Sequence, residues 1–105
     1  MTVRDLEAVG EGGTAVTLLV TLPDGTQTRR QLFTDRETLG EALDDAGLIG
    51  RDSKGMLVAV EGVEASWEAD QAYWAFYIGG DYAMYGVDDE VLVSGNIYEF
   101  KYTKD

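Results

Sequence analysis

The chain contains no cysteine and no histidine among its 105 residues. Without Cys there is no disulfide framework, thiolate metal site or thiol nucleophile. Without His, the commonest general base and the commonest transition-metal ligand are gone too. Basic residues are scarce: 8 Lys and Arg stand against 20 Asp and Glu, a formal net charge of -12. A field of that sign repels phosphate backbones and anionic headgroups, so nucleic-acid and membrane-surface binding are disfavoured and cations or basic partners favoured. A plainer role for the same charge is to keep a secreted or high-salt protein in solution. No apolar run approaches the ~20 residues of a membrane-spanning helix, and the start Met1-Thr2-Val3-Arg4-Asp5 does not read as an export signal.

What is present describes one folded domain. Apolar residues make up 45% of the chain and aromatics 10%, too rich in core formers for a disordered acidic tail. Residues 1–13 hold Gly10, Gly12, Gly13 and few apolar side chains, which reads as a flexible tether, with the domain spanning 14–105. Val16, Leu18, Val20 and Leu22 alternate through Thr14 to Leu22, the period of a strand with one buried face. Pro23-Asp24-Gly25 turns the chain, and Thr26 to Phe33 is expected to pair back. Thr34-Asp35-Arg36-Glu37 fits a capping box, so a helix is expected from about Asp35 to Ala46, with Leu39, Ala42, Leu43 and Ala46 as its apolar stripe and Gly47 or Gly50 as its stop.

Further strands are expected over Met56 to Glu61, Tyr73 to Ile78, Tyr82 to Met84 and Ile97 to Thr103, with a tight turn at Gly79-Gly80-Asp81. Tyr85 to Gly95 reads as a loop. The order hairpin, helix, strand, hairpin, strand implies an α+β domain: a β-grasp-like mixed sheet, one helix packed across one face and the last strand central.

Alternation on Tyr73 to Ile78 assigns Trp74, Phe76 and Ile78 to the core face. Tyr73 and Tyr77 fall on the other face and, with Tyr82 and Tyr85, form either a recognition surface or a shield over the open sheet. The candidate ligand-binding set is Trp74, Tyr77, Tyr82 and Tyr85, around the Gly79-Gly80 hairpin. Asp88-Asp89-Glu90 offers hard oxygen atoms to calcium but lacks the spacing and internal Gly of an EF-hand loop, so a solvated acidic loop is expected and no metal site. No nucleophile elbow or phosphate loop occurs, and a carboxylate pair in so acidic a chain discriminates nothing. The chain is expected not to be an enzyme, and no cofactor is expected.

Trp74-Ala75-Phe76-Tyr77-Ile78-Gly79-Gly80, preceded by Thr38-Leu39-Gly40-Glu41-Ala42-Leu43 and followed by Gly95-Asn96-Ile97-Tyr98-Glu99-Phe100-Lys101-Tyr102, resembles the transcobalamin-like C-terminal domain family of bacterial cell-surface proteins and lipoproteins. The resemblance covers about Thr14 to Thr103. The chain departs from the family pattern at Gly79-Gly80, where Asn-Gly is usual, and at Gly95-Asn96, where Gly-Asp is usual; both keep the turn chemistry. The resemblance implies a β-grasp-like fold and an extracellular, surface-attached location, with the anchor upstream of Met1. It also makes cobalamin, among small molecules, a candidate ligand, with a surface protein or glycan as the other partner class. The expected function is a monomeric binding or interaction module. The alternative is a cell-surface spacer or calcium-stabilised scaffold without a small-molecule ligand.

Overall fold

The computed structural model describes residues 3–104. Its strands are β1 (Val3–Asp5), β2 (Val9–Gly10), β3 (Thr14–Thr21), β4 (Gln27–Thr34), β5 (Ile49–Arg51), β6 (Leu57–Val60), β7 (Val63–Glu64), β8 (Ala72–Ile78), β9 (Asp81–Tyr82) and β10 (Ile97–Lys104). Helix α1 spans Leu39–Asp45 and α2 spans Trp67–Asp70, and a single 3-10 turn covers Val87–Asp89. The main sheet runs β1-β4-β3-β10-β8-β9, with β2 also pairing β4. The last strand is central, as expected: β10 lies parallel to β3 and antiparallel to β8.

The β3–β4 hairpin forms where alternation and turn chemistry both call for it. Val16, Leu18, Val20 and Leu32 on one face join Tyr98 and Phe100 of β10, and Leu39, Ala42 and Leu43 of α1 cover them, all buried. One helix packed over one face of a mixed sheet makes the domain α+β.

The return strand expected over Tyr82 to Met84 is only Asp81–Tyr82, and three larger expectations differ from the structure. The helix starts later: Thr38, not Thr34, is its cap, accepting from the Glu41 amide at 3.3 Å and donating its hydroxyl to the Glu41 carboxylate at 3.0 Å. Thr34 instead stays in β4, buried and paired with Thr14, and its hydroxyl accepts from the Arg36 amide in a local turn. The Leu57–Val60 strand belongs to a separate three-stranded sheet, β5-β6-β7, whose Val60 and Ile49, with the preceding Leu48, join the core.

The third difference is at the leading segment. Val3–Asp5 runs parallel to Gln27–Arg29 and Val9–Gly10 to Leu32–Phe33, so the expected tether contributes two short strands to the edge of β4. Its side chains gave no such signal, because what β4 needs at that edge is main-chain partners for its outward N–H and C=O groups. Met1, Thr2 and Asp105, at the outer bounds of the expected tether and domain, lie outside the described residues.

Candidate functional site

The β8–β10 pairing sets Trp74 opposite Tyr102 and Phe76 opposite Phe100. The Phe76 and Phe100 rings stack with centroids 5.1 Å apart, and Trp74 meets Tyr102 edge-on at 5.5 Å. Trp74 is fixed from the far side as well, its indole N–H donating to the Val63 carbonyl at 3.1 Å. Neither the small sheet nor the loop after β9 closes completely over this aromatic row. A cleft of about 210 Å³ remains, floored by Trp74, Phe76 and Phe100, with Met56 and Leu57 on one wall and Gly86, Val87 and Asp88 on the other.

Arg51 holds the two walls together. Its guanidinium donates to both Asp88 oxygens at 2.8 and 3.0 Å, to Asp44 at 3.2 Å and to the Gly55 carbonyl at 2.9 Å. The bonds to Asp88, then those to Asp44, push the Arg51 pKa well above its ordinary value. Gly40 makes the approach feasible, since a Cβ there would collide with the Asp88 carboxylate. The cleft is therefore an apolar slot whose two charged lining groups neutralise each other.

The four residues of the candidate ligand-binding set are divided by the fold, Trp74 lying on the core face as expected. Tyr77 and Tyr82 do come together, paired across β8 and β9 with ring centroids 5.5 Å apart at 81°. They occupy the sheet face opposite α1, where the Lys101 ammonium sits 4.6 Å from the Tyr77 ring centre. Trp74 points to the helix side and floors the cleft. Tyr85 belongs to a third arrangement, its hydroxyl donating to Glu90 Oε1 at 2.7 Å while the Tyr98 hydroxyl donates to Oε2 at 2.8 Å. Glu90 is buried, and this pair of hydroxyls satisfies both its oxygens. Burial raises the Tyr98 pKa, and the bond to Glu90 raises that of Tyr85.

The acidic run does not converge on a cation. Asp88 turns to Arg51 and Glu90 turns inward to the two tyrosines. Among the described residues, no group of three or more Asp and Glu side chains is gathered as metal ligands are. At the hairpin tip a shallow hollow of about 400 Å³ is lined by Gly79, Gly80, Gly95, Asn96, Ile97, Glu99 and Leu19 rather than by tyrosines.

Sequence reasoning missed Met56, Phe100 and Trp67. Phe100 was readable as an inward residue of the last strand, but its edge in the cleft depends on what the distant small sheet leaves uncovered. Met56 is exposed at the lip, and Trp67 stands exposed at the start of α2. A large apolar side chain between the cap residue Ser66 and Glu68 is the one local signal for Trp67, because a single-turn helix has no core face to bury it.

Neither a family model nor a curated protein matches the chain. Solved structures do. A candidate metal binding protein from Ruminococcus gnavus ATCC 29149 superposes with a TM-score of 0.78 at 22% identity, over 89% of this chain and 99% of that one. Haptocorrin in complex with Cbi superposes with a TM-score of 0.59 at 17% identity, over 87% of this chain but only 25% of haptocorrin. At these identities the likeness establishes a shared fold.

Proposed function

We propose that this chain is a non-catalytic binding module of the transcobalamin-like kind, exported and attached to the cell surface, and that its ligand seats on the aromatic floor of the Trp74–Phe76–Phe100 cleft. The single observation behind this reading is that floor: the half-buried Trp74 and Phe76 rings face the cleft, backed by the buried Phe100. Haptocorrin shares the fold and is described with Cbi bound, which favours a small-molecule ligand. A cobalamin-type ligand is the first to try.

The size of the cleft limits the claim. At about 210 Å³ it falls below the roughly 300–1,000 Å³ of a site that encloses a drug-sized molecule. It therefore accepts one edge or substituent of a ligand, and the domain acts as one wall of a composite site. A non-catalytic role fits the chemistry present: Arg51 and Asp88 neutralise each other, and both oxygens of Glu90 are occupied. The metal binding named for the Ruminococcus gnavus protein has no matching donor group among the described residues here.

The test is a titration with cobalamin in a Trp67→Phe background, where Trp74 is the remaining indole, combined with amide shift mapping. Quenching with shifts at residues 56–57 and 86–88 supports the reading. Shifts confined to residues 77–82 would return the site to the hairpin tip. A melting temperature raised by micromolar calcium, but not by sodium at equal ionic strength, would favour the scaffold reading.

A further inference from the structure

A second aromatic surface lies beyond the cleft, between β6 and α2. Trp67 and Tyr73 stand there with ring centroids 6.4 Å apart, tilted at 59°, and both are exposed, at 55% and 41%. They line a groove of about 370 Å³ with Met56 and Val58. Trp67 also borders an adjoining hollow of about 260 Å³ that includes Glu64 and Glu68. Two large rings open to water are a cost to an isolated soluble domain, and they mark a surface that something else covers.

The charges identify the occupant. Four arginines hold six of the acidic side chains: Asp5 is with Arg29, Glu61 with Arg30, Glu41 and Asp45 with Arg36, Asp44 and Asp88 with Arg51. Glu64 and Glu68 have no ion pair among the described residues, and no Lys or Arg lines either hollow. Carboxylates in a hollow bordered by Trp67, next to a groove that Trp67 and Tyr73 line, suit a guanidinium or ammonium group, the rings supplying quadrupole attraction and the carboxylates the countercharge. The net charge of -12 steers a basic partner toward the molecule.

We infer that the Trp67–Tyr73 groove docks a basic extended segment of a partner protein, an Arg or Lys side chain lying against the rings beside Glu64 and Glu68. This groove adjoins the cobalamin-type site and shares Met56, Leu57 and Trp74 with it, but Trp67, Tyr73, Glu64 and Glu68, on which the docking rests, do not line that cleft.

The experiment titrates the chain with hexa-arginine peptide at several salt concentrations, with hexaglutamate as control. Any acidic protein attracts a polycation, so the variants carry the decision. Trp67→Ala and the double variant Glu64→Gln/Glu68→Gln are each expected to weaken binding about tenfold. The double variant Glu11→Gln/Glu37→Gln removes the same charge from other exposed elements and is expected to leave binding within about twofold. Tyr73→Phe, which keeps a ring face, should bind as the parent does. Equal losses for both charge-matched pairs, or full binding by Trp67→Ala, would overturn the proposal. Amide shifts that avoid residues 64–73 would overturn it as well.

Discussion

The β3–β4 hairpin with β10 and the stretch of short elements from Ile49 to Ser94 are built differently. In the first, eight-residue strands pair along their whole length, and alternate side chains bury completely beneath α1. In the second, strands of two to four residues, one-turn helices and loops are positioned by particular polar bonds: Arg51 to Asp44 and Asp88, Trp74 to Val63, Glu90 to Tyr85 and Tyr98. β8 stands between them, giving one edge to β10 and aromatic side chains to both clefts. Continuous burial makes the first region the stable frame. The second, with few residues per element, is left with concave surfaces and exposed rings, the features a binding module needs.

The sharpest way to break this contrast is to cut into the frame. Phe100 is 1% exposed, pairs with Val20 and Phe76, and stacks on the latter. Phe100→Ala is expected to cost about 3–5 kcal/mol in denaturant unfolding. Met56→Ala, on the exposed lip of the same cleft, should stay within about 0.5 kcal/mol. A cost for Met56→Ala comparable to that for Phe100→Ala would show that the short-element region carries the core's load too.

A smaller effect is expected where the two regions are tied. The Arg30 guanidinium, on β4, donates to both oxygens of Glu61 at 2.8 and 3.1 Å and to the Glu7 carbonyl at 2.8 Å. Both side chains are nearly buried, so the pair is screened less than one on the surface. Arg30→Ala is expected to cost about 2 kcal/mol, because it strands a nearly buried carboxylate. Amide exchange should quicken in residues 57–64 and much less in 16–20. Uniform quickening would mean that the regions unfold as one unit.

What the sequence disclosed follows the same division. Period-2 alternation over Thr14 to Leu22, the Pro-Asp-Gly turn and the Tyr98/Phe100/Tyr102 pattern act locally, and the structure has those elements where they were expected. β5, β7 and α2 have too few residues to show a period, and they exist because tertiary partners complete them. The site was half readable for a related reason. Alternation correctly separates Trp74 from Tyr77, but a face becomes a cleft only through Met56, Leu57 and Val87, which approach from remote segments. Tyr85 looked free to bind because no local rule reveals that a buried Glu90 takes its hydroxyl.

The smallest expected effect concerns two equivalent-looking helix starts. Thr34-Asp35-Arg36-Glu37 and Thr38-Leu39-Gly40-Glu41 both fit the capping pattern, and local chemistry alone does not choose between them. The hairpin does: pairing with Thr14 holds Thr34 in extended backbone, while Thr38, at φ -110 and ψ 153, is free to close on the Glu41 amide. Val91 bridges to Thr38, and the Leu39 amide donates to the Glu90 carbonyl at 3.0 Å, so the cap also anchors the loop that walls the cleft. Thr38→Ala is expected to cost about 1 kcal/mol, and Thr38→Ser to restore most of it. The discriminating readout is amide exchange, which should quicken at Glu41 and across residues 39–45 while the β3–β4 pairing stays protected. If Glu41 kept its protection in Thr38→Ala, the hydroxyl would not be what sets the start of the helix, and the strand register alone would have to account for it.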